Sequence, residues 1–263
     1  MVTPSFEIVR PPSGDSPIVV EVPHAGMGLD AQSADWISPR LGATLIVAQV
    51  SRMVVDLNRA ADDYDGVTVR GGPERNQPRG VVWRLTSDGH AVQKDRLPQA
   101  ELERRLDAYH RPYHEAVRHE LDAKRDRFGF AVMLCAHSMP TPRALPRRGA
   151  TPDPPTDLVP GTRGGSSAGY EWIELVDRCG RDQGYSVKHD DPYRGGFSTA
   201  HYGRPDEHFH VLQLEIARRL YMDEGTLAPD PTGFERVAAL ADLLVARLVE
   251  HGTARAQRRG GVT

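Results

Sequence analysis

Cysteine is almost absent: Cys135 and Cys179 are the two in 263 residues, too few for a disulfide framework. Cys135 falls inside an apolar run and reads as a small buried hydrophobe. A thiol nucleophile beside His137, two residues on and on the same strand face, is its alternative. Charge of one sign is missing too. Lys and Arg number 33 against 36 Asp and Glu, a net −3, which leaves no basic footprint for nucleic acid. The one basic concentration, Arg255 to Arg259, reads as a fraying tail. No apolar run approaches the ~18 residues of a membrane span, and the chain opens without the regions of a secretory signal. The expected setting is cytoplasmic, with neither membrane nor nucleic acid as partner. Internal repeats are absent, so residues 1–263 read as one domain. The zinc motif HExxH is missing as well: His110 and His114 stand four apart, but Arg111 occupies the place of its Glu.

What is present is a series of apolar runs that end in polar chemistry. Phe130 to Ala136 ends in His137-Ser138, and Ile18–Val22 runs into Pro23-His24-Ala25-Gly26. Thr44 to Val55 leads into Asp56-Leu57-Asn58-Arg59, and His208 to Ile216 carries Glu215 near its end. Such runs read as buried strands. Gly66 to Arg70, Val81 to Leu85 and Tyr185 to Lys188 are expected as further short strands. Leu102, Leu106, Tyr109, Tyr113, Val117 and Leu121 recur at helical steps between Pro98 and Phe128, with Pro112 expected to kink or split the helix. Helices are also expected from Tyr170 to Gln183 and from about Gly233 to His251. Residues 1–16 read as a polar leader. Residues 140–167 read as an irregular loop, either a lid or a plain connector. Asp62, Asp63 and Asp65 lack EF-hand spacing and suit a solvated turn. Alternating strands and helices predict an α/β three-layer sandwich whose mixed, mostly parallel sheet has helices on both faces.

In such sheets ligands gather at the carboxyl ends of strands, where His24, His137, Asn58, Arg59 and Glu215 all fall. Amide hydrolysis needs an activated water, a base and stabilisation of the oxyanion. Zn2+, one per chain, would lower a water's pKa to ~7 on nitrogen ligands such as His24 and His137. Glu215 is the candidate base, which then returns the proton to the leaving amine. Arg59 with Asn58 suits a substrate carboxylate. Each residue taken singly has a plainer reading, as a bonded loop histidine, a turn cap or a solvated carboxylate.

The stretches Pro23-His24-Ala25-Gly26, Asp35-Trp36, Ser51 to Arg59 (SRMVVDLNR), Ala136-His137-Ser138, Gly195 to Thr199, His201 to Pro205, Gln213-Leu214-Glu215 and Tyr221-Met222 together resemble the N-formylglutamate amidohydrolase family, the deformylases of histidine degradation. That family is similar to zinc carboxypeptidases and aspartoacylases. The resemblance implies a zinc-exopeptidase-like (phosphorylase/hydrolase-like) fold and a hydrolase acting on a small N-acyl, in particular N-formyl, amino acid. A zinc peptidase for short peptides and a non-catalytic binding protein on the same fold are the alternatives. Three departures from the family patterns bear on the site. Met27 stands where HxxE would supply a ligand, which leaves Asp35, then Asp56, as the expected third one. Asp190 to Arg194 replaces Asn-Gly-Arg-Phe-Lys, shifting a basic group to Arg194. Ala200 replaces an Arg before His201. Arg194 and Arg204 are then further candidate substrate contacts, and His201 and His210 are candidates to orient the substrate or the oxyanion.

Overall fold

The structure is a computed structural model that describes residues 5–12, 14–24, 42–141 and 155–260. The expected ligand Asp35 lies outside the described residues, as do residues 142–154 of the expected lid.

Six strands form one sheet: β1 (Phe6–Val9), β2 (Ile18–Val22), β3 (Thr44–Ala48), β4 (Ala131–Met139), β5 (Leu158–Gly161) and β6 (Phe209–Ala217), in the order β1-β3-β2-β4-β6-β5. The four central strands run parallel, and β1 and β5 are antiparallel edges. The helices are α1 (Gln99–Arg105), α2 (Arg111–Phe128), α3 (Tyr170–Asp182), α4 (Phe197–Tyr202) and α5 (Pro231–Gly260). Side chains alternate across the pleat, which divides the core in two. Ile18, Val20, Val132, Leu134, Leu212 and Leu214 pack with Trp172 and Val176 of α3 and with Leu240, Leu244 and Leu248 of α5. Val19, Ala131, Met133, Phe209 and Val211 pack on the opposite face with Leu102 of α1 and with Tyr113, Val117 and Leu121 of α2. This is the expected sandwich, a sheet between two helical layers.

Several local expectations change. The run from Thr44 is a strand only to Ala48, because a turn through residues 52–54 carries the chain towards Asp56. Val81 to Leu85, Gly66 to Arg70 and Tyr185 to Lys188 form isolated bridges instead of strands. The polar leader contains β1, and the irregular loop contains β5. Pro160 within β5 fits its edge position, where a missing donor is tolerated. The break in the long helix is a π-helical turn, Leu106–His110, ahead of Pro112. Pro112 follows closely on this turn, and the wider π spacing is where the continuous helix accommodates its missing N–H. The last helix continues to Gly260.

The strand order sets the position of the site. The chain leaves β2 towards β3 on one side, whereas the strands after β4 lie on the other. Connections that diverge this way open a crevice above the carboxyl ends of β2 and β4. His24 follows β2, and His137 lies near the end of β4.

Candidate active site

The strand period of two aims these side chains. Cys135 and Val211 belong to the layer facing α2, so His137, Gln213 and Glu215 continue along the same face. In register, Glu21 lies opposite Cys135, Cys135 opposite Gln213, and His137 opposite Glu215. Parallel pairing thus sets a histidine beside a carboxyl at the crevice. The His24 and His137 rings meet edge to face, 4.9 Å between centroids and 70° between planes.

Asp56 anchors this pair. It is fully buried, and both carboxylate oxygens are taken. Oδ1 accepts from His24 Nε2 at 2.8 Å and from the Asn58 N–H at 3.0 Å. Oδ2 accepts from Arg52 Nη2 at 2.6 Å and from the Trp83 indole at 2.9 Å, and the Arg52 guanidinium lies over the Trp83 ring at 4.4 Å. Burial alone would raise its pKa, but the bonds and charges of His24 and Arg52 outweigh burial and hold it well below the usual carboxylate range. Asp56 is the second candidate, after Asp35, for the third metal ligand, and both of its oxygens are engaged by protein donors. Its bond to Nε2 fixes the tautomer and orientation of the His24 ring.

His137 is pushed well below the ordinary histidine range by burial, then by the charges of His24 and Arg52. It is therefore neutral, and its Nε2 accepts a long 3.3 Å bond from Asn58 Nδ2. Asn58 is held from its other end, Oδ1 accepting the Ser198 N–H at 3.0 Å. Gly196 makes this approach possible, since a Cβ there would overlap the Asn58 amide. Gln213 joins the parts: Nε2 donates to Glu215 Oε1 at 3.0 Å, while Oε1 accepts from the Gly196 N–H at 2.9 Å and from Asn58 Nδ2 at 3.5 Å. Burial raises the Glu215 pKa to about 7, against the opposing charges of Arg52 and Arg218 and the Gln213 bond.

The remaining foreseen residues scatter around this centre. Arg59 keeps its guanidinium 40% exposed beside Asp63 at 3.5 Å, and its carbonyl accepts from His110 Nε2 at 2.8 Å. His201 is exposed and stacked on Phe197 at 4.8 Å. Arg204 is exposed and pairs with Glu207 at 3.7 Å. Arg194 lines a shallow hollow with Arg163 and Ser166. His210 is not brought to the centre. Its neighbours Leu212 and Leu214 belong to the other face, and it lies beside Trp172 with its Nδ1 accepting from the Gly169 N–H at 3.1 Å. Cys135 is buried, and its pKa is raised well above the ordinary thiol value by burial and then by Glu21, which argues against thiolate chemistry. Reading the sequence missed Trp83, Arg52 and Gln213. Arg52 and Gln213 had a signal, since both lie in stretches that carry the family resemblance, and Gln213 also stands two residues before Glu215 on the same strand face.

Two imidazoles, one neutral through burial and one backed by a carboxylate, are a donor set that suits zinc. Among the described residues no group of three His, Cys, Asp or Glu completes a metal site, and Asp35 remains outside them.

The family model for N-formylglutamate amidohydrolase matches residues 30–222. An N-formylglutamate deformylase of Pseudomonas putida is 33% identical over 237 residues, covering 80% of this chain and 84% of the relative. One from Pseudomonas aeruginosa is 31% identical over 244 residues, covering 83% and 86%. The crystal structure of an N-formylglutamate amidohydrolase from Ralstonia eutropha superposes with a TM-score of 0.84 at 31% identity, covering 98% of this chain and all of that one. The chain belongs to the N-formylglutamate amidohydrolase family.

Proposed function

We propose that the chain is a single-domain, zinc-dependent amidohydrolase that cleaves a small N-formyl amino acid, with N-formylglutamate, the substrate in its relatives' names, as the first one to test. The observation that carries this reading is the meeting of His24 and His137 at 4.9 Å, with Glu215 in register beside His137 and its pKa lifted to about 7.

His24 and His137 would hold the metal together with Asp35. Bound zinc supplies a water acidified to pKa ~7 and an electrophile for the formyl oxygen. Glu215 takes a proton from the attacking water and passes it to the amide nitrogen as the C–N bond breaks, giving formate and the free amine. A base with pKa near the working pH can do both. Arg59 and Asn58 hold the substrate carboxylate by charge-assisted bonds, and Asp56 keeps the His24 ring aligned throughout. Arg194, Arg204 and His201 remain proposed contacts for the rest of the substrate.

The test is formate release from N-formylglutamate, with metal content measured on the same sample. About one zinc per chain, activity lost to chelator and restored by zinc, and little zinc in His137→Ala are expected. Glu215→Gln should keep its zinc while kcat falls roughly 100-fold or more. Zinc-loaded protein that releases no formate would exclude the reading. Amine release from short peptides instead would favour the peptidase alternative.

A further inference from the structure

Gln213 is only 4% exposed, and its single amide engages three partners from three parts of the chain. Its N–H meets the carboxyl of Glu215 at 3.0 Å. Its oxygen receives the Gly196 N–H at 2.9 Å and lies 3.5 Å from the amide of Asn58. Its strand neighbours leave room for this. On one side it faces Cys135, and on the other Gly161, where a Cβ would come within 2.6 Å of the Gly195 nitrogen. The chain around Gly195 and Gly196 can therefore settle against β5 and reach Gln213. A buried amide in this place has both its donor and its acceptor side committed.

We propose that Gln213 is a positioning residue that couples the base to the substrate clamp, its N–H aiming Glu215 and its oxygen setting Asn58 and the Gly196 turn. This rests on the roles given above to Glu215 and Asn58. The two ends of the amide act on different kinetic constants. The end on Glu215 serves the proton transfers and so governs kcat. The end on Gly196 and Asn58 aligns the group that holds the substrate and so governs KM.

Two variants separate the ends. Gln213→Glu keeps an acceptor for Gly196 and Asn58, but a carboxyl beside Glu215 repels it or shares its proton and supplies no standing donor. Its kcat should fall roughly 10- to 100-fold, with KM within about threefold of the parent and zinc content unchanged. Gln213→Leu removes both ends, so a similar fall in kcat should come with KM raised roughly tenfold. In an Asn58→Ala background that rise in KM should largely disappear, because coupled residues do not contribute additively. If Gln213→Leu fails to fold, the isosteric Gln213→Glu decides alone. Near-parent kcat in Gln213→Glu overturns the coupling, as does the same change in kcat and KM in both variants. A parent chain that releases no formate overturns the function proposed above and this inference with it.

Discussion

Two buried carboxyls stand within one site and are driven in opposite directions. Asp56 collects donors from His24, Asn58, Arg52 and Trp83 and stays ionised, whereas Glu215, 6% exposed, has one amide donor and a pKa near 7. Each makes a prediction. Asp56→Asn replaces the carboxylate on His24, and zinc affinity should fall about 10- to 100-fold in a competition titration against a chelating dye. For Glu215 the sign follows from linkage. Its folded pKa is raised, so in the metal-free protein the penalty of its ionised form is nil below about pH 4.5. The penalty grows as pH rises and is complete above about 7, at a size on the order of 3 kcal/mol. Metal-free Glu215→Gln should therefore melt above the parent at pH 8 and close to it at pH 4.5; equal melting at both values would contradict the raised pKa. At this scale the placement of His137 and Glu215 near strand ends was legible, because each lies at the end of an apolar run. The part played by Asp56 was not, since whether a carboxylate meets a metal or a histidine depends on partners up to 32 positions away in the chain.

Among the elements, the short helix α4 shows how a loop residue is fixed from outside. Asn58 lies in a turn that follows β3, yet its side chain is gripped by the start of α4 through the Ser198 N–H and given room by Gly196. Gly196→Ala should push the Asn58 amide away. Overpacking of this kind typically costs 1–3 kcal/mol, and because the displaced group is the proposed substrate contact, KM should rise several-fold while zinc content holds. A parent-like KM would mean that Asn58 does not bind substrate. The elements differ in how far the sequence showed them. β2, β4 and β6 are unbroken apolar runs in the middle of the sheet and were plain. β1 and β5 have four residues each, and an edge strand needs only a short apolar stretch, so one was hidden in polar leader and the other behind Pro160. Val81 and Val82 are fully buried without strand pairing, because burial satisfies the same apolar pattern that a strand would show.

At the scale of the whole chain, the two halves of the core share a single sheet, and the two proposed histidine ligands lie at the carboxyl ends of neighbouring central strands, His24 just after β2 and His137 near the end of β4. His24 and His137 are far apart in sequence, and the expected third ligand, Asp35, follows β2. A metal bound only by the folded chain adds its binding energy to folding. At a free concentration 100 times the dissociation constant this is about 2.7 kcal/mol. Unfolding entropy near 2.1 cal/mol/K per residue, taken over 263 residues, is about 0.55 kcal/mol/K. Zinc should then raise the melting temperature of chelator-treated protein by about 5 °C. His24→Ala and His137→Ala should each remove most of that gain, and Asp35→Ala should do so as well if it completes the ligand set. Glu215→Gln should keep the gain, because the base acts on the water's proton without holding the ion. A gain that survives in both histidine variants would place the metal elsewhere on the chain, and the catalytic centre would have to be sought away from the crevice between β2 and β4.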